Sequence, residues 1–224
     1  MEGRVVGLDG TKSGWVAVVL AGGCFAEAAA YETLAGALDA NREALAFGVD
    51  MPTALPRVGG TRPAELEARR LLGPRCHSVF LSHPSAVLDA ETYADPMSAC
   101  RSLKTPGISR QAYGLRAKIH EAIAAARDSR VVEVHPELSF WALANREPLA
   151  HSKKDWNGHH ARRALLEAVG IFVPQVLSGP AGRAAVDDVL DAAAAAWTAW
   201  RRSTGLACRL PAGDPDPDGG SIWY

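Results

Sequence analysis

The sequence predicts an α/β fold: five strands, flanking helices, and a helical or looped insertion after the fourth strand. Three observations carry this. Short apolar runs punctuated by turn residues come in the order strand, strand, strand, helix, strand, and a further strand and a long helix follow later. Two of the runs end alike, in Leu8-Asp9 and Val49-Asp50. The late helix opens on the acidic cluster Asp187-Asp-Val-Leu-Asp191 and continues into the alanine run Ala192 to Ala196.

At 224 residues, 48% apolar and 22% charged, the chain suits one well-buried domain over residues 1–224. No run approaches the ~20 apolar residues of a membrane helix, and Met-Glu-Gly-Arg followed by a strand lacks signal-peptide architecture. Cys24, Cys76, Cys100 and Cys208 are scattered without a Cys-x-x-Cys pair, so a reduced cytoplasmic protein without structural zinc is expected. Net charge is −1, which does not advertise nucleic-acid binding. Its distribution is uneven: residues 1–50 hold three basic and seven acidic side chains, and residues 57–118 hold ten basic against five acidic. A carboxylate site faced by a phosphate-binding wall is one meaning, and solvated helix faces are the other.

Taken in order, Arg4 to Asp9 is a buried strand, Gly10 to Gly14 a tight turn, and Trp15 to Leu20 the returning strand. Cys24 to Tyr31 is a third strand after Gly22-Gly23. Thr33 caps a helix to Arg42 with Leu34, Ala37, Leu38 and Asn41 on one side. Leu45 to Asp50 is the fourth strand. Residues about 52–108 form an inserted, basic, partly irregular segment: a loop at 56–60, a helix from Pro63 closed by Gly73, then prolines at 74, 84, 96 and 106 that favour short helices or a lid. Ser109 caps a helix to about Arg127, and Arg130 to His135 is the fifth strand, followed by a short helix to Asn145. Asn157 caps a helix to Val169, Ala184 to Ser203 form the last long helix, and a polar turn at 213–220 precedes Ser221 to Tyr224.

Asp9 closes a buried strand, where a carboxylate costs several kcal/mol unless it is solvated, paired or on a metal. Its turn offers backbone N–H groups, Thr11, Lys12 and Ser13, a set suited to phosphate or a divalent ion; ordinary turn chemistry explains it equally. On the last helix, Asp188 and Asp191 are i,i+3 and Asp187 and Asp191 i,i+4, so two carboxylates share a face. Dipole and capping chemistry is the alternative there. Glu133 and His135 share one face of a strand by period two, with Glu137 just beyond. They either make a wet face or line a cleft, with His135 as proton shuttle. Ser109, Gln111 and Lys118 share the helix that Ser109 caps; Gln111 and Lys118, seven apart, lie on one face and suit a substrate's polar edge. Arg69, Arg75, Lys153 and Lys154 are candidate phosphate contacts.

This combination resembles the ribonuclease H-like superfamily, and more closely the family known as DUF429, often described as predicted ribonuclease H-like nucleases. The resemblance rests on Gly7-Leu-Asp-Gly with Gly14-Trp15, Val49-Asp-Met-Pro52, Ala68-Arg-Arg-Leu-Leu-Gly73 and Ser78-Val-Phe80. Ser109-Arg-Gln111 with Lys118-Ile119, Glu133-Val-His-Pro-Glu137 with Ser139-Phe140, Ser152-Lys-Lys154 and Asp187-Asp-Val-Leu-Asp191 complete it. It spans nearly the whole chain. It implies a ribonuclease H-like mixed five-stranded sheet and a two-metal site, with Mg²⁺ or Mn²⁺ ions about 4 Å apart. Asp9 would bridge the ions, Asp50 would orient one, and Asp188 with Asp191 would complete the shell. Asp187 is the outlying member, since consecutive helix residues diverge by ~100°. Asp50 stands where many relatives use Glu.

The implied activity is phosphodiester hydrolysis, a nuclease acting on a short or structured nucleic acid or a nucleotide-like substrate. One alternative is a non-catalytic relative that binds nucleotide or nucleic acid. The other starts from Asp9-Gly-Thr-Lys-Ser-Gly14, which is similar to the phosphate turn of actin-like ATPases and sugar kinases. Those proteins duplicate the fold, and this chain carries one copy.

Overall fold

A computed structural model describes residues 3–57, 60–213 and 220–224. The expected turn at 213–220 and loop at 56–60 are therefore described only in part, and Met1-Glu2 lie outside.

The first three strands are the meander that the turn residues dictate: β1 (Arg4–Thr11), β2 (Gly14–Ala21) and β3 (Cys24–Tyr31). Helix α1 (Leu34–Ala40) follows, capped by the Thr33 side chain on the Gly36 N–H, and leads to β4 (Ala46–Val49). The insertion comprises α2 (Pro63–Leu72), a 3-10 turn at Gly73–Ser78, α3 (Ser85–Leu88) and α4 (Ala94–Ser102). Then come α5 (Arg110–Gly114), α6 (Arg116–Ala125), β5 (Val131–Val134), α7 (Pro136–Leu143), α8 (Trp156–Ala168) and α9 (Val186–Ser203). Two short strands, β6 (Arg209–Leu210) and β7 (Ile222–Trp223), end the chain.

The sheet order is β3-β2-β1-β4-β5-β7-β6. β1, β4, β5 and β7 run parallel; β2 pairs antiparallel with β1 and β3, and β6 with β7. This mixed sheet between helices is consistent with the ribonuclease H-like layout. The C-terminal strands extend the five expected strands to seven among the described residues. Their signal was short: two residues each, separated by a polar stretch of sequence. The helix expected from Ser109 to Arg127 is divided at Leu115, just after Gly114, a residue that costs a helix interior about 1 kcal/mol.

Period-two alternation sends Val6, Leu8, Phe47 and Val49 to one face, where they pack with Leu34 and Ala37 of α1 and Ile119 and Ala122 of α6. Val5, Val16, Val18, Leu20 and Ala46 face the other way, against α9, Phe140 of α7 and Leu166 of α8. On this second face the β1 and β4 positions nearest α9 are glycines. A Cβ on Gly7 would lie 2.0 Å from the Ala192 carbonyl oxygen, and one on Gly48 2.4 Å from that of Ala195. Glycine on the strands and alanine on the helix let the α9 backbone settle directly on the sheet.

Register levels the strand ends. Leu8 pairs with Val49, Val49 with Glu133, and Glu133 with Ile222. Asp9 and Asp50 therefore emerge side by side at the carboxyl ends of parallel strands, the usual location of a binding crevice in such sheets.

Candidate metal centre

Asp9, Asp50 and Asp191 each offer a carboxylate oxygen within 4.8 Å of the others. β1 and β4 deliver the first two, and the close seating of α9 brings in the third. Asp188, one turn earlier on α9, lines the same cleft, a cavity of about 490 Å³.

Few groups neutralise this cluster. Asp9 Oδ1 accepts the Gly10 N–H at 2.7 Å, and Asp191 Oδ2 accepts from Lys153 Nζ at 2.5 Å. Asp191 Oδ1 is buried with no partner. Burial and the neighbouring carboxylates Asp50 and Asp191 push the Asp9 carboxyl well above its ordinary range. Burial, then Asp191, raise Asp50 to about 8. Asp191 is also raised, burial outweighing the pull of Lys153, and so is Asp188, by burial and Asp187. Burial opposes the charge on Lys153, yet Asp191 and Asp50 overcome it and raise its pKa. An all-oxygen donor set with an unsatisfied buried oxygen is what a hard divalent cation such as Mg²⁺ or Mn²⁺ requires. The residues present fit such an ion.

Asp187 is placed apart. It is buried, pairs with Lys154, and is not among the residues lining the cleft. Lys153 and Lys154 thus bind Asp191 and Asp187, one helical turn apart. Their loop is held from below by Arg162 of α8, which donates to the His151 carbonyl oxygen at 3.3 Å and forks onto Glu137 at 3.0 and 2.7 Å.

His135 and Glu137 both line the cleft. The His135 Nε2–H donates to the Ser78 carbonyl oxygen at 3.2 Å. That leaves Nδ1 as the lone-pair nitrogen, buried and without a partner. Burial lowers the His135 pKa, so the ring is neutral near pH 7. The Glu137 oxygens are occupied by Arg162, which suits a structural carboxylate better than a proton carrier.

The remaining expected substrate contacts divide. Ser109 caps α5, its Oγ accepting the Ala112 N–H at 3.1 Å, and it lines the cleft together with Gln111, Lys153 and Lys154. Lys12 is exposed in the β1–β2 turn, outside the cleft lining. Lys118 donates to the Gly14 carbonyl oxygen at 2.6 Å and lies 4.9 Å from the Trp15 ring centroid, fastening the hairpin. The break at Leu115 removes the single face that Gln111 and Lys118 would have shared. Arg69 is part-buried on α2, and Arg75 donates to the Leu149 carbonyl oxygen at 2.8 Å; neither lines the cleft. None of the ten basic residues of the 57–118 segment does.

The ion-pair network around the cleft escaped the sequence reading. Arg62, fully buried, donates to Glu65 at 3.0 Å and forks onto Glu133 at 2.8 and 2.6 Å. Glu133 also accepts the Thr53 N–H at 2.9 Å, and Glu65 the Ser82 N–H at 2.9 Å. This network ties the insertion to the sheet beside the cleft, and Arg162 ties α8 to the first turn of α7. Glu133 is therefore an ion-paired core residue.

The cleft lining is acidic. Asp9, Asp50, Glu65, Glu133, Glu137, Asp188 and Asp191 face Lys153, Lys154, His77 and His135. A phosphate enters such a cleft favourably only once a cation is in place.

Among described helices none is long and apolar enough to cross a membrane. A family model described as "Protein of unknown function (DUF429)" matches residues 7–216. No curated protein and no solved structure matches the chain.

Proposed function

We propose that this chain, which belongs to the DUF429 family, is a divalent-metal-dependent phosphodiester hydrolase acting on a short nucleic acid or nucleotide-like substrate. One observation carries the reading: three carboxylates converge within 4.8 Å at the strand ends, with a buried Asp191 oxygen left unpaired. Breaking or omitting partners of buried charge costs about 3–5 kcal/mol, so a purely structural role leaves this cluster unexplained.

Asp9, Asp50 and Asp191 would hold Mg²⁺ or Mn²⁺, with Asp188 at the rim. Once bound, the ion supplies Lewis acidity to a phosphoryl oxygen and lowers the pKa of bound water. The chain's own groups position the substrate. Gln111 presents an amide to its polar edge, and Lys154 a cation at the cleft wall. His135 offers Nδ1 as an acceptor in the wall. Phe80, Met51 and Leu115 give the cleft apolar surface for a base or other flat group.

Size and charge restrict the substrate. A cavity of about 490 Å³ is of small-ligand dimensions. Tight duplex binding relies on several Lys or Arg contacts to phosphates, and the cleft has two lysines. Four free cysteines agree with a cytoplasmic setting.

A second reading, a non-catalytic nucleotide binder, draws on the Lys153–Asp191 and Lys154–Asp187 pairs, which neutralise part of the cluster without any ion. One assay separates the two. Purified chain with Mn²⁺ is tested on an activated phosphodiester and on short DNA, RNA and junction substrates, beside Asp9→Asn. Cleavage that falls at least about 100-fold in the variant, with unchanged circular dichroism, supports hydrolysis. Nucleotide binding without cleavage of any substrate selects the second reading.

A further inference from the structure

The lysine at the centre of the cluster bears on how many ions it takes. We infer that Lys153 stands in for one of two divalent cations, so that the site takes a single metal ion beside a protein-supplied ammonium group. The inference rests on the metal-site reading above and changes its stoichiometry.

Geometry gives the first reason. Asp191 is one of the three clustered carboxylates, and its two oxygens differ. Oδ2 is occupied by Lys153 Nζ at 2.5 Å, whereas Oδ1 is buried and unpaired. One oxygen is committed to an ammonium group and one is available to a metal.

Charge gives the second. Asp9, Asp50 and Asp191 bring three negative charges, and Lys153 returns one. The remaining two match one divalent ion. Two divalent ions with Lys153 would place five positive charges against the three clustered carboxylates, or against four with the half-buried Asp188. Uncompensated charge in a buried site is strongly unfavourable.

The loop gives the third. The Lys153 side chain is 39% exposed, so packing over the side chain alone does not fix it. Its backbone is fixed instead. Lys154 pairs with Asp187, and Arg162 of α8 holds the His151 carbonyl oxygen. A Cβ on Gly158 would fall 1.7 Å from the Ser152 carbonyl oxygen, so α8 and the loop are in backbone contact at this point. A lysine delivered by such a loop is a built component of the site. It also leaves a cation beside the metal for a phosphate oxygen, a role Lys serves as a point charge.

The test counts ions. Full-length wild-type chain, Lys153→Gln and Lys153→Arg are titrated with Mn²⁺ by calorimetry and by paramagnetic resonance of the free ion. Circular dichroism confirms each fold. One ion in wild type, one in Lys153→Arg and two in Lys153→Gln is the expected result. Two ions in wild type overturn the inference, as does a folded Lys153→Gln that still takes one. Should Lys153→Gln not fold, a wild-type crystal grown with Mn²⁺ decides. One anomalous peak with Nζ still on Asp191 supports the inference, and two peaks or a displaced lysine refute it. No ion in wild type is a different failure: it removes the metal site itself, and the proposed function with it.

Discussion

Asp50→Asn provides the sharpest test of the cluster's electrostatics without requiring a substrate. In the metal-free protein the Asp50 carboxyl is raised to about 8, from an ordinary value of 3.8. Between those values the folded state holds a proton that the unfolded chain has released, so stability falls as pH rises through the window. One proton of difference is worth about 1.4 kcal/mol per pH unit. From pH 6.5 to 8 that amounts to about 2 kcal/mol. Asp50 lies at the part-exposed rim of the cluster, and solvent screening brings the expected contribution to about 1–2 kcal/mol. Asp9 and Asp191, raised in the same direction, steepen the wild-type slope. Starting at pH 6.5 limits the opposite contribution of His135, whose lowered pKa costs stability on acidification. The assay is urea unfolding in chelator at pH 6.5, 7.2 and 8. Wild type should lose stability steadily and Asp50→Asn should lose about 1–2 kcal/mol less, a difference of roughly 3–6 °C in Tm. Saturating Mn²⁺ should flatten the wild-type slope, because it binds the ionised cluster. A wild-type stability that is level or rising over this range refutes the reasoning, as does an Asp50→Asn slope equal to it.

Other perturbations test how the site is held. Gly7→Ala places a methyl 2.0 Å from the Ala192 carbonyl oxygen and should lift α9 from the sheet. The expected loss is about 3 kcal/mol or more by thermal unfolding, with Mn²⁺ affinity at least about tenfold weaker. Near-wild-type values for both would mean that the glycine–alanine contact does not position Asp191. Arg62→Met strands Glu133 and Glu65 in the core and should cost about 3–5 kcal/mol in urea unfolding. Arg62→Lys should recover less than half of that, since an ammonium group cannot fork onto both Glu133 oxygens; full recovery would show that charge alone suffices.

The centre of the molecule was legible in the sequence and its supports were not. Strand periodicity and turn residues marked β1, β2 and β4, and the matched endings Leu8-Asp9 and Val49-Asp50 marked two corners of the cluster. Helical spacing supplied the third corner in Asp191, and the alanine run announced close packing. Spacing also separated Asp187 from its neighbours, as the structure does. The supports depend on partners far apart in the chain: Arg62 and Glu133 are 71 residues apart, and Arg162 and Glu137 are 25 apart. Charged side chains are almost never fully buried unless paired, and no local pattern names the partner. The basic 57–118 segment shows the same limit from the other side. Composition registers ten cations, but direction depends on tertiary packing, which turns Lys118 to the hairpin and Arg62 into the core.

The alanine seam of α9 bears on how sharply the site is defined. Ala192 to Ala196 are all fully buried, and an alanine side chain has no rotamers to lose or to exchange. The helix meets the sheet through groups with one conformation each, so thermal repacking cannot widen or shift that contact. Asp191, next to the seam, inherits this definition: the backbone sets where its Cα lies, and only its own two torsions remain to be fixed. Seams lined by leucine or methionine would bury more apolar area and hold the helix by larger, interchangeable packings. Here the chain gives up that area for a carboxylate whose origin on the sheet is fixed to the precision of the backbone itself.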